Sequence, residues 1–163
     1  MKEVRPTSGR VLSAMFNILG EKVERTHCLD LFAGTGRVGL EALRRGAESC
    51  VFVESVKARA EALRRVAGDS VVLGLEVRRA VSWLTKRGMT FDVIFADPPY
   101  SAGWCDELPA LAGLRGLFAP GAVMIVEHSV REKLTLSQNP NNLCIISERN
   151  YGETSLTFLK AQE

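Results

Sequence analysis

Apolar positions along the chain alternate between two rhythms. Val11, Leu12, Met15, Phe16, Ile18 and Leu19 recur at the spacing of one helical face, with Thr7 or Ser8 ahead as a cap and Gly20 behind as a stop. They predict an N-terminal helical segment over about 7–20, then a charged connector at 21–26. A compact apolar run, Cys28-Leu29-Asp30-Leu31-Phe32, predicts a buried strand, and Val38, Leu40, Leu43 and Ala47 return to the helical spacing. The alternation continues with a strand at 50–53, a helix at 56–67, a strand at 71–73, a basic helix at 79–87 carrying Trp83 and Leu84, and a strand at 91–96. Leu108, Leu111, Leu114 and Leu117 predict a further helix, and Pro120-Gly121 a turn into a strand at 122–127. Residues 131–142, polar and containing Asn139-Pro140-Asn141-Asn142, predict a loose loop. Strands at 143–147 and 155–159, with Gly152 near their turn, close the chain.

Apolar strands separated by helices call for an α/β architecture: a mostly parallel sheet covered on both faces, here of seven strands with a C-terminal antiparallel pair. The chain has 163 residues, which predicts one domain over 1–163. At 46% hydrophobic and 25% charged residues, the composition excludes disordered and low-complexity classes, and no apolar run reaches the length of a membrane span. Cys28, Cys50, Cys105 and Cys144 form no CxxC pair, and His27 and His128 stand far apart, so neither a disulfide scaffold nor a metal site is expected. The first residues lack the apolar core of a signal peptide, and a cytoplasmic location is expected. The formal charge of +2 neither requires nor forbids a nucleic-acid partner.

Ligands of parallel α/β sheets bind beyond the carboxyl ends of the strands. Asp30-Leu31-Phe32-Ala33-Gly34-Thr35-Gly36 is such an end. Gly34 and Gly36 let the backbone turn tightly and approach a ligand. The spacing is not GxGxxG, and no GK[ST] follows to mark a phosphate loop. Asp30 repels pyrophosphate and favours a cationic or amine-bearing ligand. Glu54, ending the second strand, is placed to accept hydrogen bonds from ribose hydroxyls. A nucleoside without phosphates and with a charged amino-acid tail satisfies both acids, and S-adenosyl-L-methionine has that chemistry.

The strand at 91–96 runs into Asp97-Pro98-Pro99-Tyr100. The prolines donate no N–H, which leaves carbonyls to accept from a substrate. Asp97 and the Pro98 carbonyl can hold the two hydrogens of a planar exocyclic amine, with Tyr100 stacked on the base.

Together with Arg5-Pro6-Thr7, Arg10-Val11, Phe16-Asn17-Ile18-Leu19, Gly39-Leu40-Glu41-Ala42-Leu43, Arg45-Gly46-Ala47, Phe52-Val53-Glu54 and Tyr151-Gly152-Glu153-Thr154-Ser155-Leu156, these motifs resemble the bacterial 16S rRNA guanine-N2 methyltransferases of the RsmD type. The resemblance spans essentially the whole chain. The Asp-Pro-Pro-Tyr signature alone is shared with adenine-N6 methyltransferases. An enzyme acting on adenine N6 in DNA or RNA is therefore the alternative, and a non-catalytic RNA-binding assembly factor a more distant one. The resemblance implies a Rossmann-like class I methyltransferase fold, S-adenosylmethionine as cofactor and 16S rRNA in a small ribosomal subunit as partner. It implies Asp30, Gly34, Gly36 and Glu54 around the cofactor, Asp97, Pro98 and Tyr100 at the target base, and Arg5, Thr7, Arg10 and Asn17 lining the site from the N-terminal side.

Two features depart from that family. Four residues precede Arg5, where members carry a basic, glycine-rich segment, which implies a trimmed form or a weaker hold on RNA. Arg79 stands where members have an aspartate that reads the adenine, which leaves the following Ala80 to meet the cofactor through its backbone. Arg44-Arg45 and Arg64-Arg65 close predicted helices, where basic side chains also suit the helix dipole.

Overall fold

The computed structural model describes residues 8–163. Among them seven strands form one sheet: β1 (His27–Asp30), β2 (Ser49–Val53), β3 (Val72–Leu73), β4 (Phe91–Ala96), β5 (Phe118–Ser129), β6 (Leu143–Tyr151) and β7 (Thr154–Ala161), in the order β3-β2-β1-β4-β5-β7-β6. The first five are parallel, and β7 runs antiparallel between β5 and β6. The helices are α1 (Gly9–Leu19), α2 (Arg37–Arg44), α3 (Lys57–Val66), α4 (Val77–Lys86) and the short α5 (Trp104–Glu107). This is the Rossmann-like methyltransferase fold that the resemblance implies.

Both faces of the parallel strands are covered, which is why these strands read as near-continuous apolar runs, while the edge strand β6 is largely exposed. On one face Met15, Phe16, Val38, Ala42 and Leu63 of α1–α3 pack on Phe52, Val93, Phe95, Ile125 and Phe158. On the other, Ala80, Val81 and Leu84 of α4 and the leucines at 108–117 pack on Leu29, Val51, Ile94 and Met124. The Ser8 hydroxyl accepts from the Val11 N–H at 3.2 Å and caps α1, and Gly20, at φ 55°, ends it. Helix α2 lies so close to β2 that a Cβ on Gly39 would stand 2.4 Å from Phe52 Cε1 and 2.7 Å from Cys50 Sγ. Gly39→Ala should therefore cost about 1–3 kcal/mol of stability through overpacking. Urea unfolding measures it, and a midpoint equal to that of the unaltered chain would contradict the close approach.

Three sequence expectations need correction. The leucines at 108, 111, 114 and 117 do not form one helix: α5 passes into a 3-10 turn at Leu108–Ala110, and a second 3-10 turn occupies Leu114–Leu117. Their spacing of strictly three residues is the 3-10 period, and Gly113, at φ 86°, breaks the path between the turns. Strand β5 begins at Phe118, before Pro120-Gly121. It absorbs that pair in a bulge where five steps of β5, from Phe118 to Val123, face two of β4, from Phe91 to Val93. The loop at 131–142 is tied down. Asn141 is buried; its Oδ1 accepts from the Arg115 N–H at 3.0 Å, and its Nδ2 donates to the carbonyls of Pro109 at 2.7 Å and Leu111 at 3.0 Å. One side chain thus satisfies the backbone groups that the broken helix leaves open.

Candidate active site

Strand β1 continues to β2 on one side, and β4 continues to β5 on the other, so the loops after β1 and β4 diverge and open a crevice between them. Asp30 ends β1, beside Phe95 of β4, and the next N–H, of Leu31, donates to the Phe95 carbonyl at 2.9 Å. The sequence-level acids of both loops are thus carried by one pair of strands.

The glycine loop is held from within the fold. Ala33 N–H donates to the Val53 carbonyl at 2.9 Å, and Gly36 N–H to the Ala33 carbonyl at 2.7 Å. Gly36, at φ 83°, caps α2, and a Cβ there would lie 2.3 Å from Leu63 Cδ1. The sequence expects this glycine to turn the backbone tightly and to approach a ligand; its left-handed conformation agrees with the turn, and packing against α3 requires it as well.

Asp30 is 2% exposed. Its Oδ2 accepts from the Gly39 N–H at 3.2 Å. Burial pushes its carboxyl up to about 7, against the pull of the Gly39 and Phe32 N–H groups and with a further push from the Glu54 charge. Glu54, just past β2, is also buried. One carboxylate oxygen accepts from the Gly34 N–H at 2.8 Å and the other from the Val56 N–H at 3.0 Å, with the Arg59 guanidinium 3.6 Å away. This clamp on the loop is in addition to the ribose role expected from sequence; each oxygen retains a second lone pair. Glu54→Gln must turn an amide NH2 towards one of these N–H donors. Cofactor affinity should fall by about 1–3 kcal/mol, with little change in turnover at saturation. Calorimetry on a folded variant checks this, and unchanged affinity would remove Glu54 from the cofactor site.

Asp97 follows β4 directly; it and Tyr100 are half-buried, Pro98 is buried and Pro99 exposed. The Tyr100 hydroxyl lies 3.4 Å from Thr154 Oγ1. Thr154 pairs with both Ser129 and Tyr151, so the turn at Gly152 (φ 60°) brings the Tyr151-Gly152-Glu153-Thr154 motif to the carboxyl ends of the parallel strands. After Tyr100, Glu132 accepts from the Ser101 N–H and hydroxyl at 2.5 and 3.1 Å and anchors the turn. Arg10 stands at the same rim, its guanidinium 6.0 Å from the Tyr151 ring centre.

Other expected residues fall elsewhere. Asn17 lies roughly 10 Å further along α1 than Arg10. It borders a depression with Gly20, Glu21, Glu24 and Arg45, at the end of the sheet where strands begin. It does not line the crevice. Ala80 is fully buried inside α4, and its N–H already donates to the Glu76 carbonyl at 2.9 Å, so neither its side chain nor that donor faces a cofactor. The acid at the carboxyl end of β3 is Glu76, the N-cap of α4, whose side chain accepts from the Arg78 N–H at 3.2 Å. Arg78 also bonds Glu107 and lies 4.8 Å from the Trp104 ring centre, and Trp104 meets Phe32 edge-on. Arg5 and Thr7 lie outside the described residues.

This strand order, with acids and a glycine loop at its switch point, defines a methyltransferase of the Rossmann-like class. The family described as conserved hypothetical protein 95 matches residues 1–160, and the chain belongs to that family. Ribosomal RNA small subunit methyltransferase D of Escherichia coli strain K12 is 34% identical over 136 residues, covering 80% of this chain and 67% of that protein. The protein of the same name from Buchnera aphidicola subsp. Baizongia pistaciae is 30% identical over 151 residues, covering 91% of this chain and 76% of that one. The solved structure of the yhhF protein from Escherichia coli superposes with a TM-score of 0.81 at 29% identity, covering 99% of this chain and 92% of that chain. Fold and relatives imply S-adenosylmethionine as the cofactor. The residues fit it: a carboxyl that burial holds near 7 is relieved by a cation, and this cofactor carries an ammonium and a sulfonium.

Proposed function

We propose that this chain transfers a methyl group from S-adenosylmethionine to the exocyclic N2 amine of a guanine in 16S rRNA, with the small ribosomal subunit as substrate and the cytoplasm as its place of action. The observation that carries the reading is the exit of Asp97-Pro98-Pro99-Tyr100 from β4 beside the loop that leaves the paired β1. The names of its relatives, methyltransferases of small-subunit ribosomal RNA, support the substrate class.

Guanine N2 is a weak nucleophile because its lone pair is delocalised into the ring. The bound cofactor supplies an electrophilic methyl group. Asp97 and the Pro98 carbonyl accept the two N–H groups of the amine, and their negative character favours positive charge growing on nitrogen. Tyr100 fixes the plane of the base. As the N–C bond forms, the S–C bond of the methyl donor would break, and the nitrogen, now cationic and acidic, would then pass a proton to the Asp97 carboxylate that accepts its hydrogen bond and from there to water, so Asp97 need not deprotonate the amine beforehand. Asp30 and Glu54, at the ends of β1 and β2, would hold the cofactor.

Isothermal titration should show one site for S-adenosylmethionine and for S-adenosylhomocysteine, and no heat with ATP or NAD. Binding of ATP or NAD with neither methionine derivative would overturn the reading.

A further inference from the structure

The seam between α1 and α2 holds none of the residues proposed above for the cofactor or the amine. A surface groove of about 490 Å³ opens along it, with Gly9 and Ser13 on the α1 wall and Arg37, Glu41, Arg44 and Arg45 on the α2 wall. The small residues leave the space, and the arginines reach across it. A Cβ on Gly9 would stand 3.5 Å from Arg37 Nη2, and the Arg45 guanidinium lies 5.0 Å from the Phe16 ring centre. Glu41 accepts from Arg44 Nε at 2.9 Å, Arg44 Nη2 at 2.6 Å and Arg45 Nε at 2.7 Å, which steadies both guanidinium groups on the wall. Among the described residues that line the groove, three arginines stand with one carboxylate, which gives this wall a positive balance, and the Arg44 side chain is 74% exposed.

Helix electrostatics explains only part of this. Arg44 and Arg45 close α2, where the dipole favours cations, but Arg37 opens it, where the dipole disfavours them. The Arg37 end adjoins the glycine loop. At the far end Glu21 and Glu24 join Arg45, and the positive character stops.

We propose that this groove seats the phosphodiester backbone of the RNA strand that flanks the target nucleotide, with Arg37 and Arg44 on successive phosphates. A positive track that begins at the crevice and ends before the acidic base suits a polyanion whose one nucleotide enters the site. The inference rests on the proposed RNA substrate.

The test compares the unaltered chain with Arg37→Gln/Arg44→Gln. Arg87→Gln, an exposed cation at the far end of α4 on the other sheet face, is the control. Three measurements are made: binding of a labelled 16S rRNA fragment at several salt concentrations, binding of polyaspartate, and methyl transfer to small ribosomal subunits. Methyl transfer by the unaltered chain tests the functional reading by itself. The groove is tested by the binding series, which needs no turnover. The double variant should weaken RNA binding by tenfold or more and leave S-adenosylmethionine affinity unchanged. Its salt dependence should be shallower by about 0.7–0.9 per lost contact on logarithmic axes. The apparent KM for RNA should rise while kcat stays within about twofold, since the groove meets the strand and not the reacting amine. Equal RNA affinity and equal salt slope in a folded double variant would overturn the proposal. So would an equal loss in Arg87→Gln, which would mark a general charge effect. A loss confined to an acidic peptide such as polyaspartate, with RNA binding intact, would assign the groove to a protein partner instead and also overturn it.

Discussion

Asp97→Asn should lower the rate of methyl transfer in a single turnover by about 10²-fold or more, the range for a lost partner of transition-state charge. Asparagine keeps a carbonyl oxygen but loses the negative charge, and its NH2 can turn towards the substrate amine, donor against donor. The effect belongs to the chemical step. Cofactor affinity should hold, because Asp97 leaves β4 while the cofactor acids leave β1 and β2. A rapid-quench experiment with saturating cofactor and RNA separates the step from binding. A rate near that of the unaltered chain would make Asp97 only the end of a strand.

Asp30→Asn should stabilise the fold and weaken the enzyme at the same time. An Asp in the unfolded chain ionises near 3.8, whereas burial raises Asp30 to about 7. Between those values the folded state keeps a proton that the unfolded state has lost, so this group's contribution makes stability fall as pH rises, and the penalty is complete above about pH 7. The neutral asparagine removes it. At pH 8 the variant should melt about 6–16 °C higher, for roughly 3–4 kcal/mol in a domain of this size. At pH 4 the two should melt together. Cofactor binding should show the reverse preference, because the cation is attracted to the ionised carboxylate. Affinity of the unaltered chain should climb as pH rises through about 7, whereas that of Asp30→Asn should be flat and lower by about 10–100-fold at pH 8. Calorimetry across this range checks both. Parallel pH profiles would remove Asp30 from the cation site.

The parts of the site that were legible in the sequence are those that a strand end specifies by itself. Asp30, Glu54 and Asp97 each stand at the carboxyl end of an apolar run, and a parallel sheet brings such ends together. What was not legible depends on partners distant in the chain. The Tyr100 contact with Thr154 spans 54 residues and the Ser101 bond to Glu132 spans 31, and no local pattern announces either. Asn141 carried a loop-like composition, yet its three bonds secure backbone more than twenty residues away. Asn17 illustrates the limit of carrying a motif over as a block: it shares α1 with Arg10, but the rise of the helix takes it away from the rim. Ala80 shows the same for register, since Glu76 and not Arg79 stands where α4 begins. Gly36 reads from the loop as a turn glycine, whereas the nearness of Leu63, which also requires it, cannot be read from the loop alone.

The proposed reaction is methyl transfer to a guanine N2 in small-subunit rRNA. Its most direct test incubates the protein with methyl-labelled S-adenosylmethionine and small ribosomal subunits that lack the modification, then digests the 16S rRNA to nucleosides for chromatography and mass spectrometry. Labelled N2-methylguanosine is expected from a single position, strongly reduced with Asp97→Asn and undetectable when duplex DNA replaces the subunits. Label in N6-methyladenosine, label in the DNA, or no label from a folded, cofactor-binding protein would contradict it.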